Sequence, residues 1–426
     1  DAGRPERALT VSGVSLVYSR RERSGRVEGE ADLRTGGCRG TSATLSFAAN
    51  ADETALESAV FEGKARMVFD GGPAGARGES EVAAARIAVA FSRQPSAVDF
   101  VDAGGDVVLT LRTPAGQELR LVAPGAVLKL DRDAGPTSWT ASGGILAEIV
   151  EDGGFVRLEG ETASFEASSG LVQVHRRPGQ PAVAESAESR IEADEIISGP
   201  GREDLRASGD VDCLLRPGEG SRAQGFFSPT EDVSISCNSL VFRGGGPVAM
   251  FTGNVRARQG ADLLRAAELE IARGTGDMRG RGGVAAALDQ AAAGEAAGGR
   301  VELGGQDMVY LSGTRTLTLS GKAYVQLPRA RLEAGSVSAA LGRDGNAVES
   351  LEAKAGVSVA KDRYEGRAES ASYRAATRRM TLTGRPVLTD GKGGSARGGK
   401  LTFDLADDKI LIENEGPGRA TTIVRS

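Results

Sequence analysis

Residues 316 to 327 read TLTLSGKAYVQL. On an extended chain Leu317, Leu319, Gly321, Ala323, Val325 and Leu327 share one face, and Thr316, Thr318, Ser320, Lys322, Tyr324 and Gln326 share the other. A period of two around a central glycine predicts a half-buried β-strand that bends, because glycine adds no side chain and tolerates unusual backbone angles. The chain says this repeatedly. MFTGNVRAR (250–258), LEAKAGVSV (351–359) and MTLTGRPVLT (380–389) are strong copies, and FEGKARMVF (61–69), GGDVVLTL (104–111) and ASGDVDCLL (207–215) are weaker ones. A second half-unit follows, running small, polar, polar, apolar, polar, apolar, as in AAARIAVAF (83–91), CNSLVF (237–242), AAELEIA (266–272), AGSVSAAL (334–341) and GGKLTF (398–403). About eleven two-strand units fit, with a period that drifts between roughly 28 and 45 residues. Drift of that size predicts loops of variable length at the unit ends, where insertions cost little.

The repeats therefore predict an all-β chain. The alanine-rich run GVAAALDQAAAGEAAGG (283–299) is the one place for a helix to compete. Its internal glycines each cost a helix about 1 kcal/mol relative to alanine, and the run falls where a strand and a loop are due, so strand then long loop is expected. Sixty glycines, fifteen prolines and 4% aromatic residues set the chain apart from an average domain, while 40% hydrophobic residues is too many for disorder. The stretches GPGRED (199–204) and RPGEGSRAQG (216–225) are the expected soft joints, dividing the chain into halves 1–200 and 201–426.

Several functions are disfavoured. A net charge of −6 offers no basic face for nucleic acid. No apolar run approaches the roughly 18 residues of a membrane span, and a chain opening at Asp1 fits a mature exported protein or a trimmed one equally. His175 is the only histidine, which leaves neither a catalytic triad nor a histidine-rich metal site; a surface position at a strand end is expected for it. Asp194/Glu195, Glu231/Asp232 and Asp407/Asp408 are adjacent carboxylates, and neighbours on a strand point to opposite faces. The glycine-rich stretches RGTGDMRGRGG (273–283) and GKGGSARGG (391–399) lack the strand-loop-helix setting of a phosphate loop. Cys213 and Cys237, in successive strand-like runs, are placed either to bond across a ladder or to sit as two small buried side chains. No catalytic residues, metal or cofactor are expected.

What remains is the apolar face. It is mostly Ala, Val and Leu, so two such walls leave room between them for hydrocarbon. Sheltering a twelve-carbon chain is worth roughly 10 kcal/mol at about 0.8 kcal/mol per methylene, and such binding repeats from rung to rung at similar energy. Only eight of 52 basic residues are lysine. Arginines such as Arg256, Arg258, Arg279 and Arg281 have the forked geometry that pairs with lipid phosphates, although base composition of the gene explains the bias as simply.

AMFTGNVRARQGADLLRAAELEIARGTGDMRGRGGV (249–284) and YEGRAESASYRAATRRMTLTGRPVLTDGKGGSARGGKLTFDLADDKILIENEG (364–416) resemble the OstA/LptA family of periplasmic lipopolysaccharide transport proteins. The second stretch has a small-residue strand ending in Tyr373, a strand with Gly384 and Pro386, and a glycine-introduced strand at Leu401 to Leu405. The weaker repeats from 26 to 250 resemble the same fold, and the related LptC component, so a longer or fused LptC/LptA-type chain is one form the resemblance takes. It implies an elongated, twisted β-jellyroll, or β-taco, a periplasmic location with any signal or anchor outside this chain, and no enzymatic activity. It also implies lipopolysaccharide or a related lipid as ligand, other jellyroll-type transport proteins as edge-pairing partners, and end-to-end self-association. On that reading the groove lining is Val255, Ala257, Leu269, Ile271, Val325, Leu327, Val337, Ala339, Val357, Val359, Leu382, Leu401 and Phe403. The rival expectation is a structural or adhesive β-solenoid with a filled core, which usually keeps a stricter period.

Overall fold

The structure, a computed structural model, describes residues 9–423 apart from 36, 70–78, 93–96, 113–117, 132–134, 152–153, 200–204, 218–225, 229, 244–247, 273, 291–298, 343–346, 408 and 414–420. Most of the two expected joints, residues 291–298 of the expected loop, and Asp408 lie outside the described residues. Every described secondary-structure element is a β-strand. The alanine-rich run continues as strand to Gln290, in Met278–Gln290. The chain forms two compact units, Asp1–Gly209 and Asp210–Ser426.

Within the first unit, the strands Ser24–Arg34, Cys38–Ala49, Leu56–Phe69, Ser80–Phe91, Val98–Arg112, Glu118–Leu130, Pro136–Glu151 and Gly154–Glu166 form an antiparallel meander, each paired with the next. Within the second, Val233–Arg243, Val248–Gln259, Asp262–Ala272, Met278–Gln290, Gly299–Leu311, Thr316–Leu327, Ala330–Leu341, Val348–Lys361 and Tyr364–Arg374 do the same. The next rung of the second unit is split into Arg379–Thr383 and Val387–Asp390, both paired to Tyr364–Arg374.

The glycine of the repeat is where the sheet turns. Thr316–Leu327 pairs with Ala330–Leu341 through Ser320 and Ser336, then through Ala323 and Ala334, so Gly321 and Lys322 stand opposite Gly335 alone. Gly321 and Lys322 have φ of 72° and 55°. Two consecutive left-handed residues turn an extended chain sharply, and an unmatched residue in a ladder adds bend and twist. The same left-handed pair occurs at 29/30, 63/64, 105/106 and 143/144 in the first unit and at 253/254, 282/283, 355/356 and 384/385 in the second. Each falls on alternate strands, so the bends form a row.

The row explains how one pattern buries both halves of a strand. On Thr316–Leu327 the buried set is Leu317 and Leu319, then Ala323, Val325 and Leu327. On Ala330–Leu341, which has one residue fewer at the bend, it is Ala330, Leu332 and Ala334, then Val337, Ala339 and Leu341. Strict alternation places Gly321 on the apolar face; it is in fact exposed, because the left-handed pair carries it outward around the turn.

Each unit is thus one sheet folded on its own apolar side. In the second unit, one arm holds 255–259, 262–266, 284–290, 299–304, 323–327, 330–334, 357–361 and 364–367, and the other holds 248–252, 268–272, 278–281, 307–311, 316–320, 336–341, 348–354, 370–374, 379–383 and 400–404. The arms touch. A Cβ added to Gly366 would lie 2.9 Å from Leu382 Cδ2 and 3.0 Å from Phe403 Cε2, both on the opposite arm. In the first unit a Cβ on Gly40 would lie 2.5 Å from the ring of Phe61 across the bend.

Gly321→Ala combines a left-handed φ with a Cβ placed 2.7 Å from Gln306 Cβ. We expect it to destabilise the second unit by about 1–3 kcal/mol in urea unfolding, whereas Lys322→Gly, which relieves a strained side-chain-bearing residue one position on, is expected to be neutral or stabilising.

Candidate functional site

The bend row and the alternation bring all thirteen expected lining residues to the interior of the second unit. Val255, Ala257, Val325, Leu327, Val357 and Val359 lie on one arm, and Leu269, Ile271, Val337, Ala339, Leu382, Leu401 and Phe403 on the other. All are between 0% and 3% exposed. That exposure means the arms meet, and the interior at these positions is closed to water. A recess of about 450 Å³ does open in the first unit beside Val17, Ser19, Arg26, Ser58 and Val60, but none of the thirteen lines it.

The inward residues stack in register. Leu269, Gly280, Met308, Leu319, Val337, Ala353, Ala371, Leu382 and Leu401 are successive cross-strand partners along one arm. Ala257, Leu264, Ala286, Leu303, Val325, Leu332, Val359 and Gly366 run likewise along the other. No charge interrupts either row. Along these two rows the surface is therefore nearly equivalent from rung to rung and offers hydrophobic contact, with Gln259 and Lys361 buried at strand ends beyond them.

Polar groups inside are few. Near the strand ends of the first-described arm, Gln259 is 5% exposed and fully engaged: its Oε1 accepts from the Ser228 N–H at 2.6 Å, and its Nε2 donates to the carbonyls of Ser228 and Glu231 at 2.9 Å each. Phe226 and Phe227, each 1% exposed, precede that clip; their ring centroids are 4.6 Å apart, and Phe226 meets Tyr310 edge-on at 5.9 Å. Tyr310 is completely buried, and among the described residues its hydroxyl has no hydrogen-bond partner. Burial pushes its phenol above the usual tyrosine range. In the first unit Trp139 stacks on Phe165 at 5.9 Å, and its Nε1 is likewise without a partner. Sequence reasoning missed the two phenylalanines, because they stand in a connection with no alternation around them.

The remaining candidates disperse. His175 ends the strand Leu171–His175, exposed, with Nδ1 3.8 Å from Glu195 Oε1. Asp194 pairs with Arg176 at 3.0 Å, whereas Glu195 accepts from Gln173 and from Ser208. No cluster of three or more metal-ligating side chains occurs among the described residues. Arg256, Arg258, Arg279 and Arg281 are exposed on the outer face. Arg281 abuts the bend at Gly282 and Arg256 lies two residues past the bend at Asn254, so these two flank the fold of the sheet rather than its mouth. All three cysteines are buried and none forms a disulfide.

The class defined here is an all-β jellyroll sheet, bent along a row of left-handed residues around an apolar interior. Residues 235–409, less than half of the 426-residue chain, match the model of the family described as LptA/(LptD N-terminal domain) LPS transport protein. Among solved structures, that of LptH, the LptA homologous periplasmic component of the conserved lipopolysaccharide transport device from Pseudomonas aeruginosa, is 9% identical, covering 50% of this chain and 97% of that one with a TM-score of 0.16. No curated protein matches the chain in sequence.

The Cys237 thiol is pushed up to about 11, chiefly by burial. Because its ordinary value is 9.0, the unfolded chain ionises first as pH rises, so this residue favours unfolding between about pH 9 and 11 and has no such effect below. Cys237→Ala is expected to make the loss of stability across that window shallower in pH-dependent denaturation.

Proposed function

We propose that this chain is a non-enzymatic periplasmic bridge protein that shelters the acyl chains of lipopolysaccharide, or a similar amphiphile, between the two arms of its sheet on the way to the outer membrane. The observation that carries this reading is the uninterrupted stacking of aliphatic residues along both arms, within a stretch matching a family of lipopolysaccharide transport proteins. Lipid would replace contacts between the arms with contacts between arm and acyl chain. The interior hydrophobic surface stays covered in either state, and the gain is the burial of the tail itself, roughly 10 kcal/mol for twelve carbons. Equivalent rungs let that gain recur as the chain advances. The driving energy would come from another protein, because nothing among the described residues resembles a nucleotide site.

The near-zero exposure of the lining favours a second reading, a rod with a permanently filled core. A photo-crosslinking residue at Val325 or Phe403 distinguishes them. Capture of lipid A at these positions, and not at outward Thr318 or Lys322, is expected for the carrier; capture confined to the outward positions would leave only the rod.

Strand edges support the proposed partners. Ser15–Ser19 pairs with Ser24–Arg34, and Lys409–Glu413 pairs with Lys400–Asp404. Among the described residues neither has a second neighbour. Val17 on the first is 68% exposed and Leu411 on the last is 54% exposed. Unpaired edges are templates for another strand. Concentration-dependent self-association is expected by sedimentation, weakened by Leu411→Lys or Val17→Lys; a monomer at every concentration would refute the edge pairing.

A further inference from the structure

Gln259 and Tyr310 stand on opposite arms of the second unit, at strand ends away from the bend row. Gln259 pairs with Asp262 at the end of Val248–Gln259, and Tyr310 pairs with Met278 and Leu317 beyond the bend of its own strand. The segment Phe226–Ser228 engages both: Ser228 is clipped to Gln259, and Phe226 lies against Tyr310. It therefore crosses the mouth of the folded sheet. Two phenyl rings fill the space there, each 1% exposed, and they come from a connection rather than from a rung of the repeat.

We infer that Phe226 and Phe227 hold the place of an acyl chain, and that this place is a binding subsite for an amphiphile whose acyl group carries a carbonyl, received by the Tyr310 hydroxyl. This rests on the proposed carrier function. Two independent observations support it. The first is chemical likeness: a pair of buried rings beside Ser228, which Gln259 holds through two hydrogen bonds, is an apolar occupant that another apolar group can replace without exposing either arm. The second is the Tyr310 hydroxyl, completely buried beside those rings and without a partner among the described residues. An unmet donor in an apolar setting is costly, and an ester or amide carbonyl near the head of an acyl chain would satisfy it. Plain hydrocarbon would not.

The test uses the full chain with two lysolipids of equal length, 1-myristoyl-lysophosphatidylcholine and its ether-linked analogue, which lacks the carbonyl. The wild type should bind the ester more tightly than the ether. Tyr310→Phe should lower affinity for the ester about five- to tenfold, to the level of the ether, leave the ether unchanged, and raise the melting temperature of the lipid-free protein, because an unpaired hydroxyl has been removed. Gln259→Ala, which frees the segment, should tighten binding of both lipids severalfold. Equal losses for ester and ether in Tyr310→Phe, or unchanged affinities in Gln259→Ala, would overturn the subsite while leaving the carrier reading intact. If neither lipid binds the wild type or any variant while lipid A is still captured at Val325 or Phe403, the subsite alone is overturned; loss of that capture as well would overturn both.

Discussion

Burial of an apolar sheet face against itself is the constraint on which the rest depends. A single sheet has no second layer to cover it, and the described residues of each unit include no helix to pack against it. The chain must therefore fold its own arms together. The paired left-handed residues do this at a defined place on every second strand, and the matching single residue on the intervening strands keeps the ladder in register. Across the bend the inward parity is kept on Thr316–Leu327, where two left-handed residues intervene, and shifts on Ala330–Leu341, so both arms present their aliphatic side inward. Local backbone geometry thereby decides where the interior is, and cross-strand stacking decides that it is continuous within a unit.

Much of this was legible in the sequence because strand alternation has a period of two and is read directly from residues such as Leu317, Leu319, Val325 and Leu327. The recurring glycine announced a bend, yet alternation alone placed Gly321 inside, where the structure places it outside. Period two assumes an unbroken extended chain, and two left-handed residues violate that assumption locally. The interior positions followed from the pattern. Whether they line a space or fill it did not, since Ala, Val and Leu serve both ends equally. Phe226 and Phe227 were invisible for a different reason: Phe226 packs on Tyr310 across more than eighty residues of sequence and Phe227 packs on Phe226, and no local pattern encodes these contacts.

The outside of the sheet obeys simpler rules. Arg66 and Glu81, Arg331 and Glu333, and Arg379 and Asp404 are ion pairs between exposed arginines and neighbouring carboxylates. Such pairs contribute little to stability, on the order of 0–1 kcal/mol each, but they keep the outward face of a long antiparallel ladder polar and discourage it from stacking on other sheets. The arginine excess is thus accounted for on the surface in part by these partners. The residues flanking the bends, Arg256 and Arg281, are remote from any position at which a sheltered chain would leave the interior.

An interior of this kind has to reconcile two demands. It must be closed when empty, because parted aliphatic walls in water would cost roughly 25 cal/mol for every Å² exposed. On the proposed carrier function it must also yield to a guest. Close-packed cores made of large interlocking aromatic rings resist that exchange, whereas rows of Ala, Val and Leu present smooth surfaces whose contacts with each other and with a methylene chain are nearly interchangeable. The second unit departs from this rule at Phe251, Tyr310 and Phe403, buried on its strands, and where Phe226 and Phe227 enter from a connection beside Ser228, which Gln259 holds. These two rings come from a connection rather than from a rung of the repeat, so they fill space without interrupting the cross-strand rows behind them.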